Sequence, residues 1–367
     1  MITLKGQFNC AVVYTDNIDK QAIQQITELC NQEFCRDSTI RIMPDAHAGA
    51  GCTIGTTMTI TDKVVPNLVG VDIGCGIEVI KLQEKTINLE KLDKLIRAFI
   101  PSGFNIRKKE HPYVQEIPLH KLKVREHLDI KRARLSVGTL GGGNHFIEVN
   151  EDKTGALYLA IHSGSRHLGK QLADYYQNRA AKKLGKKPNN KVPRDLAYLE
   201  GQDFKDYIHD MKIVQHYATV NRQAIADEIV RNMQFTVVDK FTTIHNYIDT
   251  KHMILRKGAI SARQGERVII PINMRDGSIL ATGKGNSAWN YSAPHGAGRV
   301  LSRRQAKKQL SLKEFRESMR DVYSTSVRAS TLDEAPMAYR PLAEILKNIQ
   351  DTVEVLDVIQ PIYNYKA

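Results

Sequence analysis

The sequence predicts an α+β fold, in which helices flank a β core and do not alternate regularly with its strands. Three observations favour this class. Short apolar, β-prone segments are separated by glycine-rich turns, the segment 169–233 carries apolar side chains at helical spacing, and the strand and helix signals follow one another without a βαβ rhythm. The chain has 367 residues, which is enough to bury a large core.

The N-terminal part is expected to contain strands, two helices and one long loop. Residues 7–14 are apolar and β-prone, and a second strand should end at Ile60. Residues 19–33 and 87–99 have the apolar spacing of amphipathic helices. The glycine-rich segment 43–55 is expected to be a loop.

The central and C-terminal parts should add further strands and a helical hairpin. The hairpin is expected over 169–233, with residues 186–192 as its polar linker. A glycine-rich turn at 139–148 feeds a strand. Four more segments share the short, apolar and β-branched character of strands, namely 157–161, 267–272, 278–281 and 353–363.

Charge and composition favour a polyanionic partner and no membrane. The formal net charge is +13, and the lysines and arginines occur in several clusters, as is typical of proteins that contact nucleic-acid phosphates. With 7% aromatic residues and a single Trp, base stacking is not expected to dominate binding. No apolar run approaches the roughly 18 residues that cross a bilayer, and the N-terminus does not resemble a signal peptide, so we expect a cytoplasmic protein.

The turn Asp-Ile-Gly-Cys-Gly at 72–76 is the most informative short segment. It places the carboxylate of Asp72 three positions before the thiol of Cys75, with glycines on both sides of the thiol and an apolar run on either side of the turn. A thiol beside a carboxylate serves either metal ligation or nucleophilic catalysis. The five cysteines lie far apart and are odd in number, so a disulfide framework is not expected.

Several of the twelve histidines lie at strand ends or in glycine-rich turns, where binding sites are often assembled. The four that share this placement are His145, His162, His245 and His295. Together with Asp72 and Cys75 they indicate a metal centre, because imidazole, thiolate and carboxylate are common metal ligands. Thiolate with imidazole favours zinc, whereas a carboxylate and a phosphate substrate favour Mn²⁺ or Mg²⁺. The number of candidate ligands also allows two metals that share the thiolate.

A family resemblance covers nearly the whole chain, from Met43 to Lys366. The motifs MPDAHAG, VDIGCG, GGGNHFIEV, HSGSRHLG, IHN and PHGAGR occur in this order. Together they resemble the RtcB family of RNA ligases, as a short, divergent, bacterial-type branch. The resemblance implies a single catalytic domain over 1–367, with a central, largely antiparallel β core flanked by helices, and a helical insertion at 170–235.

The resemblance also implies an activity. The family joins RNA ends that carry a 3′-phosphate or a 2′,3′-cyclic phosphate to 5′-hydroxyl ends, through a guanylylated histidine, in RNA repair or tRNA splicing. It uses GTP and two Mn²⁺ ions. The expected partners are RNA with such ends and an archease-like activator protein.

Motif positions imply the roles of individual residues. His295 corresponds to the histidine that becomes guanylylated, and Arg166 to a residue that contacts RNA phosphate. The implied metal ligands, with Cys75 shared between two ions, are Asp72, Cys75, His145, His162 and His245. The implied contacts of the guanine nucleotide, besides His295, are Asn144, Glu148, Gly296, Gly298, Arg299 and Lys366. Asp45 and His47 match an early acidic motif and are expected either to support the metal ligands or to order the glycine-rich loop.

Two other functions remain open at this point. The first is a metal-dependent RNA phosphatase or cyclic phosphodiesterase that processes RNA ends without ligation, and its activity would not need GTP. The second is a non-catalytic RNA-binding protein with a structural metal, for which no turnover of any substrate is expected.

Overall fold

A computed structural model describes residues 1–187 and 191–367. Its strands are β1 Ile2–Lys5, β2 Cys10–Val13, β3 Ile40–His47, β4 Ile54–Thr59, β5 Lys63–Val64, β6 Gly76–Leu82, β7 Phe146–Glu151, β8 Leu157–Ser163, β9 Leu199–Glu200, β10 Val237–Ile244, β11 Asn246–Asp249, β12 Ile254–Lys257, β13 Ala259–Ser261, β14 Arg267–Asn273, β15 Gly277–Gly283, β16 Ser292–Pro294 and β17 Val353–Lys366. Its α-helices are α1 Lys20–Cys30, α2 Pro66–Val69, α3 Leu89–Phe99, α4 Ile130–Ser136, α5 Arg166–Leu184, α6 Gly201–Met233, α7 Arg303–Gln309, α8 Leu312–Ser318 and α9 Leu342–Asn348.

Two large sheets form the β core. The first has the strand order β1-β2-β3-β4-β12-β11, and only its β2–β3 pair is parallel. The second has the order β10-β6-β8-β7-β17-β15-β14, and all its neighbouring pairs are antiparallel. The predicted α+β class with a largely antiparallel core is therefore confirmed.

Helix α6 packs in its first half against the core of the first sheet and in its second half against the second sheet. Its side chains Met211, Val214 and Tyr217 are completely buried, in agreement with their helical spacing in the sequence. Arg222, in the middle of the same helix, is also completely buried, and its guanidinium donates to the carbonyl oxygens of Gly74 at 2.8 Å and Ser163 at 3.0 Å. The helix therefore fixes the backbone next to the 72–76 turn by charged hydrogen bonds as well as by apolar packing.

The helical hairpin predicted over 169–233 corresponds to helices α5 and α6. Helices α5 and α6 occupy most of the segment predicted to be helical, and the expected linker 186–192 lies partly outside the described residues. Among the described residues, no helix combines the length and the apolar character needed to cross a membrane.

Two predictions about local structure are wrong. The glycine-rich loop was expected from residue 43, but Met43–His47 belong to β3, where a register irregularity between Ile42 and His47 accommodates the proline at 44 beside β4. Strands β11 and β12 were not predicted, because each has only four residues, which is too short for a clear alternation. The first error matters for function, since it places Asp45 on a rigid strand.

Candidate active site

The predicted metal ligands meet where four neighbouring strands of the second sheet begin or end. Cys75 and His145 immediately precede β6 and β7. His162 is the second-last residue of β8, and His245 immediately follows β10. The strand order β10-β6-β8-β7 and the antiparallel registers bring these four ends side by side. Four short sequence motifs that are distant in the chain therefore contribute to one cluster.

Glycines shape the turn that presents the thiol. Gly74 has φ +72°, which other residues rarely adopt. A Cβ on Gly76 would lie 2.0 Å from the carbonyl oxygen of Thr243, so only glycine lets the start of β6 approach β10 this closely. The backbone N–H of His245 then donates to the carbonyl oxygen of Cys75 at 2.9 Å, which ties two predicted ligands together through the main chain.

The ligand atoms form two triplets that share the thiol. Cys75 Sγ lies 3.4 Å from His145 Nε2 and 3.3 Å from His162 Nε2. His145 Nε2 is 2.9 Å from Asp72 Oδ2, and His162 Nε2 is 3.4 Å from His245 Nε2. The two triplets are Asp72–Cys75–His145 and Cys75–His162–His245, and within each the ligand atoms lie within 4.8 Å of one another. We call them the Asp72 triplet and the His245 triplet.

Protonation in this cluster suits cation binding. Burial, together with neighbouring histidines, holds the pKa of His162 and of His245 well below the usual range, so both rings are neutral and can ligate a metal. Burial raises the pKa of the Cys75 thiol, and the charge of Asp72 raises it further, so a bound cation is needed to stabilise a thiolate there. The Nδ1 atom of His245 is buried without a hydrogen-bond partner among the described residues. The donor set therefore fits a metal.

His295 lies beside this cluster, but its ring is hydrogen-bonded to Asp45 and not to a predicted metal ligand. It follows β16, and its ring centroid is 4.8 Å from that of His245. Asp45 Oδ2 accepts hydrogen bonds from His295 Nδ1 at 2.6 Å and from its backbone N–H at 3.2 Å. A proton on Nδ1 leaves the lone pair on Nε2, which is the nitrogen that can act as a nucleophile. Asp45, which was expected either to support the metal ligands or to order the glycine-rich loop, contacts the His295 ring.

One pocket of about 330 Å³ opens onto His295 and His162. All seven residues predicted to contact the nucleotide line it, namely Asn144, Glu148, His295, Gly296, Gly298, Arg299 and Lys366. Pockets of this size and mixed polar and apolar lining are typical of small-ligand sites. Residues 271–274 also line it, so the end of β14 and the residue after it contribute a wall of the pocket.

The polar end of this pocket is a buried ion-pair network. Lys366 is 5% exposed, and its Nζ lies 2.7 Å from Glu334 Oε2 and 5.7 Å from the centroid of the Phe146 ring. Burial raises the pKa of Glu334, but the charges of Lys366 and Arg303 outweigh it and hold the pKa below its usual range. Lys366 is therefore fixed against the pocket wall by an ionised partner.

Gly298 and Arg299 have internal partners that the sequence did not indicate. Gly298 has φ +73°, and a Cβ there would lie 2.3 Å from the carbonyl oxygen of Asp45. The glycine thus lets the chain after His295 pack directly on the backbone that carries the Asp45 carboxylate. The guanidinium of Arg299 donates to the carbonyl oxygen of Leu301 at 3.0 Å and to the hydroxyl of Tyr339 at 3.0 Å. It helps to hold the pocket wall.

Arg166 lies away from this pocket, on the side of the Asp72 triplet. It is the first residue of α5 and has φ +57°, which is unusual for a long side chain. Its Nη1 lies 3.1 Å from His145 Nδ1, and its Nε donates to the hydroxyl of Thr139 at 3.3 Å. Arg166, Asp72 and His145 line a second pocket of about 370 Å³.

Comparison with known proteins agrees with the motifs. The family model described as tRNA-splicing ligase RtcB matches residues 25–122 and 115–367. The chain is 31% identical to the RNA-splicing ligase RtcB of Escherichia coli K12, over 95% of both chains. It is 28% identical to the tRNA-splicing ligase RtcB of Aeropyrum pernix, over 91% of this chain and 90% of that protein. It is 27% identical to RNA-splicing ligase RtcB2 of Escherichia coli ATCC 25922, over 90% of this chain and 87% of that protein.

The chain belongs to the RtcB family. The predicted recognition is confirmed, and membership places the protein among RNA ligases. The cluster of Cys, His and Asp side chains agrees with a metal-dependent member of the RtcB family.

Several side chains of this RtcB-family site were not found by reasoning from the sequence. Glu334 and Tyr339 line the pocket that contains His295, and Arg222 holds the backbone beside Cys75. Each lies in a segment that reads as an ordinary helix or loop, without a glycine-rich or histidine-rich signal. Arg222 offered one clue, since it is a charged residue within the apolar part of a long helix.

We expect Glu148 to make the stability of the protein depend on pH. Burial raises the pKa of this carboxyl to about 7, although Asn364 donates to it at 2.7 Å. Because the pKa in the folded state exceeds that in the unfolded state, the folded protein binds the proton more tightly, and stability falls as the pH rises from about 4.5 to 7. Glu148→Gln should remove this loss, which is on the order of 3 kcal/mol.

Chemical denaturation of both proteins, without nucleotide, at pH 5 and pH 8 would measure this effect. The free energy of unfolding of the Gln variant minus that of the wild type should increase between the two pH values. A difference that stays constant would contradict a raised pKa at Glu148.

Proposed function

We propose that this protein is a GTP- and Mn²⁺-dependent RNA ligase that acts through a guanylylated histidine. In the first step His295 Nε2 attacks the α-phosphorus of GTP and pyrophosphate leaves. The guanylyl group then passes to the 3′-phosphate of an RNA end, and a 5′-hydroxyl of a second end displaces GMP to form the phosphodiester. A 2′,3′-cyclic phosphate end enters after it has been opened to the 3′-phosphate.

The observation that carries this proposal is the pairing of His295 with Asp45 at the mouth of a nucleotide-sized pocket. The 2.6 Å hydrogen bond at Nδ1 fixes the ring and leaves Nε2 free to attack. When Nε2 bonds to phosphorus the ring becomes positively charged, and the adjacent carboxylate stabilises that charge. An enzyme that only hydrolysed RNA ends would not need a nucleotide-sized pocket beside such a histidine.

The other pocket residues have roles that follow from their charge. Glu148 would accept hydrogen bonds from the guanine base, and Lys366 with Asn144 would provide donors near it. Gly296, Gly298 and Arg299 would shape the wall next to the α-phosphate. Two Mn²⁺ ions would be held by the Asp72 triplet and the His245 triplet, with Cys75 common to both. Such ions supply positive charge that offsets the phosphate charge which develops during phosphoryl transfer.

The RNA part of the proposal rests on charge. Arg166 would bind the terminal phosphate of an RNA end beside the Asp72 triplet, in a protein with a formal net charge of +13. The substrates would be cytoplasmic RNAs broken to 3′-phosphate or 2′,3′-cyclic phosphate and 5′-hydroxyl ends, in repair or in tRNA splicing. Adding an archease-like protein to the assay would test whether such an activator accelerates the reaction.

Incubation with α-labelled GTP and Mn²⁺ tests the first step. The wild-type protein should acquire label in a bond that is labile in acid and stable in alkali, as expected of a phosphoramidate, and His295→Ala should acquire none. His252→Ala is the matched control, because His252 also has Nδ1 within 2.9 Å of an aspartate, Asp249, but lies outside the nucleotide pocket. The proposal fails if His295→Ala is labelled as strongly as the wild type.

A second assay separates ligation from hydrolysis. RNA with a 2′,3′-cyclic phosphate and RNA with a 5′-hydroxyl are incubated with Mn²⁺, with and without GTP. Joined product that forms only with GTP supports the ligase. Opening or removal of the phosphate with no joined product under either condition would favour an end-processing phosphatase or cyclic phosphodiesterase.

A further inference from the structure

The second pocket reaches the metal cluster from a different side than the nucleotide pocket does. The nucleotide pocket is lined by His162 of the His245 triplet, whereas the second pocket is lined by Asp72 and His145 of the Asp72 triplet. Because Cys75 belongs to both triplets, the predicted metal ligands that line the two pockets belong to groups that share one thiol. A ligand in the second pocket is therefore close to the chemistry without competing for the nucleotide's place.

Charge in the second pocket favours an anion. Among the residues that the structure describes, its lining includes the cationic side chains of Arg132, Arg166 and Lys170 and one carboxylate, that of Asp72. That carboxylate is already engaged, since it accepts hydrogen bonds from the backbone N–H of Ser165 at 2.9 Å and contacts His145. Lys170 is itself paired with Asp174, so the positive charge that faces a phosphate-bearing ligand comes from Arg132 and Arg166.

An exposed aromatic ring stands at the edge of this basic pocket. Phe104 is 95% exposed, which is the highest value among the large apolar side chains of the described residues. Its ring gains little from the protein's own packing, since almost all of its surface faces solvent. An aromatic face next to cationic groups is the combination by which proteins hold an unpaired nucleotide, with the base on the ring and the phosphate on the cations.

The backbone of Phe104 is fixed relative to the metal ligands. The neighbouring Gly103 donates from its N–H to the carbonyl oxygen of Gly141 at 2.9 Å, and Gly141 belongs to the glycine-rich turn that leads to His145. The guanidinium of Arg132 donates to the carbonyl oxygen of Phe104 at 3.4 Å. The ring is thus carried by a loop that is hydrogen-bonded to the turn holding a predicted metal ligand, and its position relative to the site is set by the fold.

We propose that Phe104 is a stacking platform for the base of the terminal nucleotide of an RNA end that carries a 3′-phosphate. The proposal deepens the proposed ligase function and rests on it. The end with a terminal phosphate fits better than the 5′-hydroxyl end, because only the former brings its terminal negative charge to the basic pocket beside the Asp72 triplet. One stacked base also agrees with the low aromatic content, since stacking is confined to the end that reacts.

Fluorescence of a substituted base tests the proposal directly. The probe is a short single-stranded RNA with a 3′-phosphate and 2-aminopurine as its last base, added to Mn²⁺-loaded protein without GTP so that no turnover occurs. Stacking on Phe104 should quench the fluorescence in the wild type and in Phe104→Trp. Quenching should be lost in Phe104→Leu and Phe104→Ala, and their dissociation constants should rise by about 5- to 150-fold.

Two controls identify the source of the signal. Phe99→Leu changes a phenylalanine that is 48% exposed on α3 and does not line the pocket, and it should bind and quench as the wild type does. A probe with 2-aminopurine three nucleotides from the end should report no difference between the wild type and Phe104→Leu. Quenching of the terminal base that persists in Phe104→Ala, or a dissociation constant unchanged in that variant, would overturn the proposal.

The ligase function and the stacking role can fail separately. Labelling of the wild-type protein by α-labelled GTP is measured without RNA, and its absence would count against the ligase alone. Normal labelling, combined with terminal-base fluorescence that does not depend on Phe104, would count against the stacking role alone.

Discussion

Asp45→Asn should slow the guanylylation of His295 by about 10²- to 10⁴-fold and change the affinity for GTP by no more than about threefold. Asparagine keeps the size of the side chain, and its amide oxygen can still accept the hydrogen bond from Nδ1. It removes the negative charge that faces the imidazole at 2.6 Å. Because the ring becomes cationic only as the bond to phosphorus forms, the lost charge raises the barrier of that step and not the free energy of the bound state.

Single-turnover labelling over a range of GTP concentrations would separate the maximal rate from GTP affinity. Asp249→Asn is the matched control, since it makes the same chemical change beside His252, away from the nucleotide pocket. Mn²⁺ content should be the same in both variants and in the wild type, because Asp45 belongs to neither triplet. A labelling rate within threefold of the wild type, or an equal loss in the Asp249 variant, would show that Asp45 does not assist the nucleophile.

The role of Asp45 also shows how far the sequence could lead. The motif around it identified a carboxylate of interest, but its partner lies 250 residues further along the chain. Pairing across that distance depends on β3 and β16 packing beside each other, and it further needs Gly298 to allow the close backbone approach. Residue types and spacing predict which groups can do chemistry. They do not predict which of these groups meet.

Local signals were sufficient for the strand ends that carry the metal ligands. The apolar runs around 72–76 and the glycines before His145 predicted turns next to strands. Glycine is required at several of these positions, because a side chain there would collide with neighbouring atoms. Arg222 and Glu334 were missed for the opposite reason. Burial of a charge is decided by the tertiary partners that satisfy it, here the carbonyl oxygens of Gly74 and Ser163 and the ammonium of Lys366.

The turn at 72–76 could have presented a metal ligand or a reactive thiol, and the surroundings of Cys75 favour the ligand. Burial keeps the pKa of this thiol well above its usual value, so it is a poor nucleophile unless a cation is bound. The thiol also has two imidazole nitrogens within 3.4 Å, which is the environment of a shared ligand. Because Cys75 belongs to both triplets, its removal should weaken both metal sites, whereas removal of any other ligand should weaken only one.

Cys75→Ala should therefore lose both metal ions together and abolish ligation, with activity reduced by at least about 10³-fold. His145→Ala and His245→Ala each remove a ligand from one triplet only, so we expect each to retain roughly one of about two ions per chain. Equilibrium dialysis with Mn²⁺, followed by atomic emission, would give these stoichiometries without reference to activity. Repeating the dialysis with Zn²⁺ would compare the affinities of the site for the two ions. Tighter binding of Zn²⁺ is expected if the soft thiolate ligand determines the metal preference.

The control for this change is Cys30→Ala, which truncates an equally buried thiol outside both triplets. Truncating a buried cysteine leaves a small cavity, so the two variants should lose a similar free energy of unfolding when no metal is present. With Mn²⁺ present, a larger loss in Cys75→Ala would measure the metal-binding energy that the thiol supplies to the folded state. If Cys75→Ala were less stable but still joined RNA ends, the metal would be structural. If it bound Mn²⁺ at a single site as tightly as the wild type does, Cys75 would be a ligand of one ion only and would not be shared.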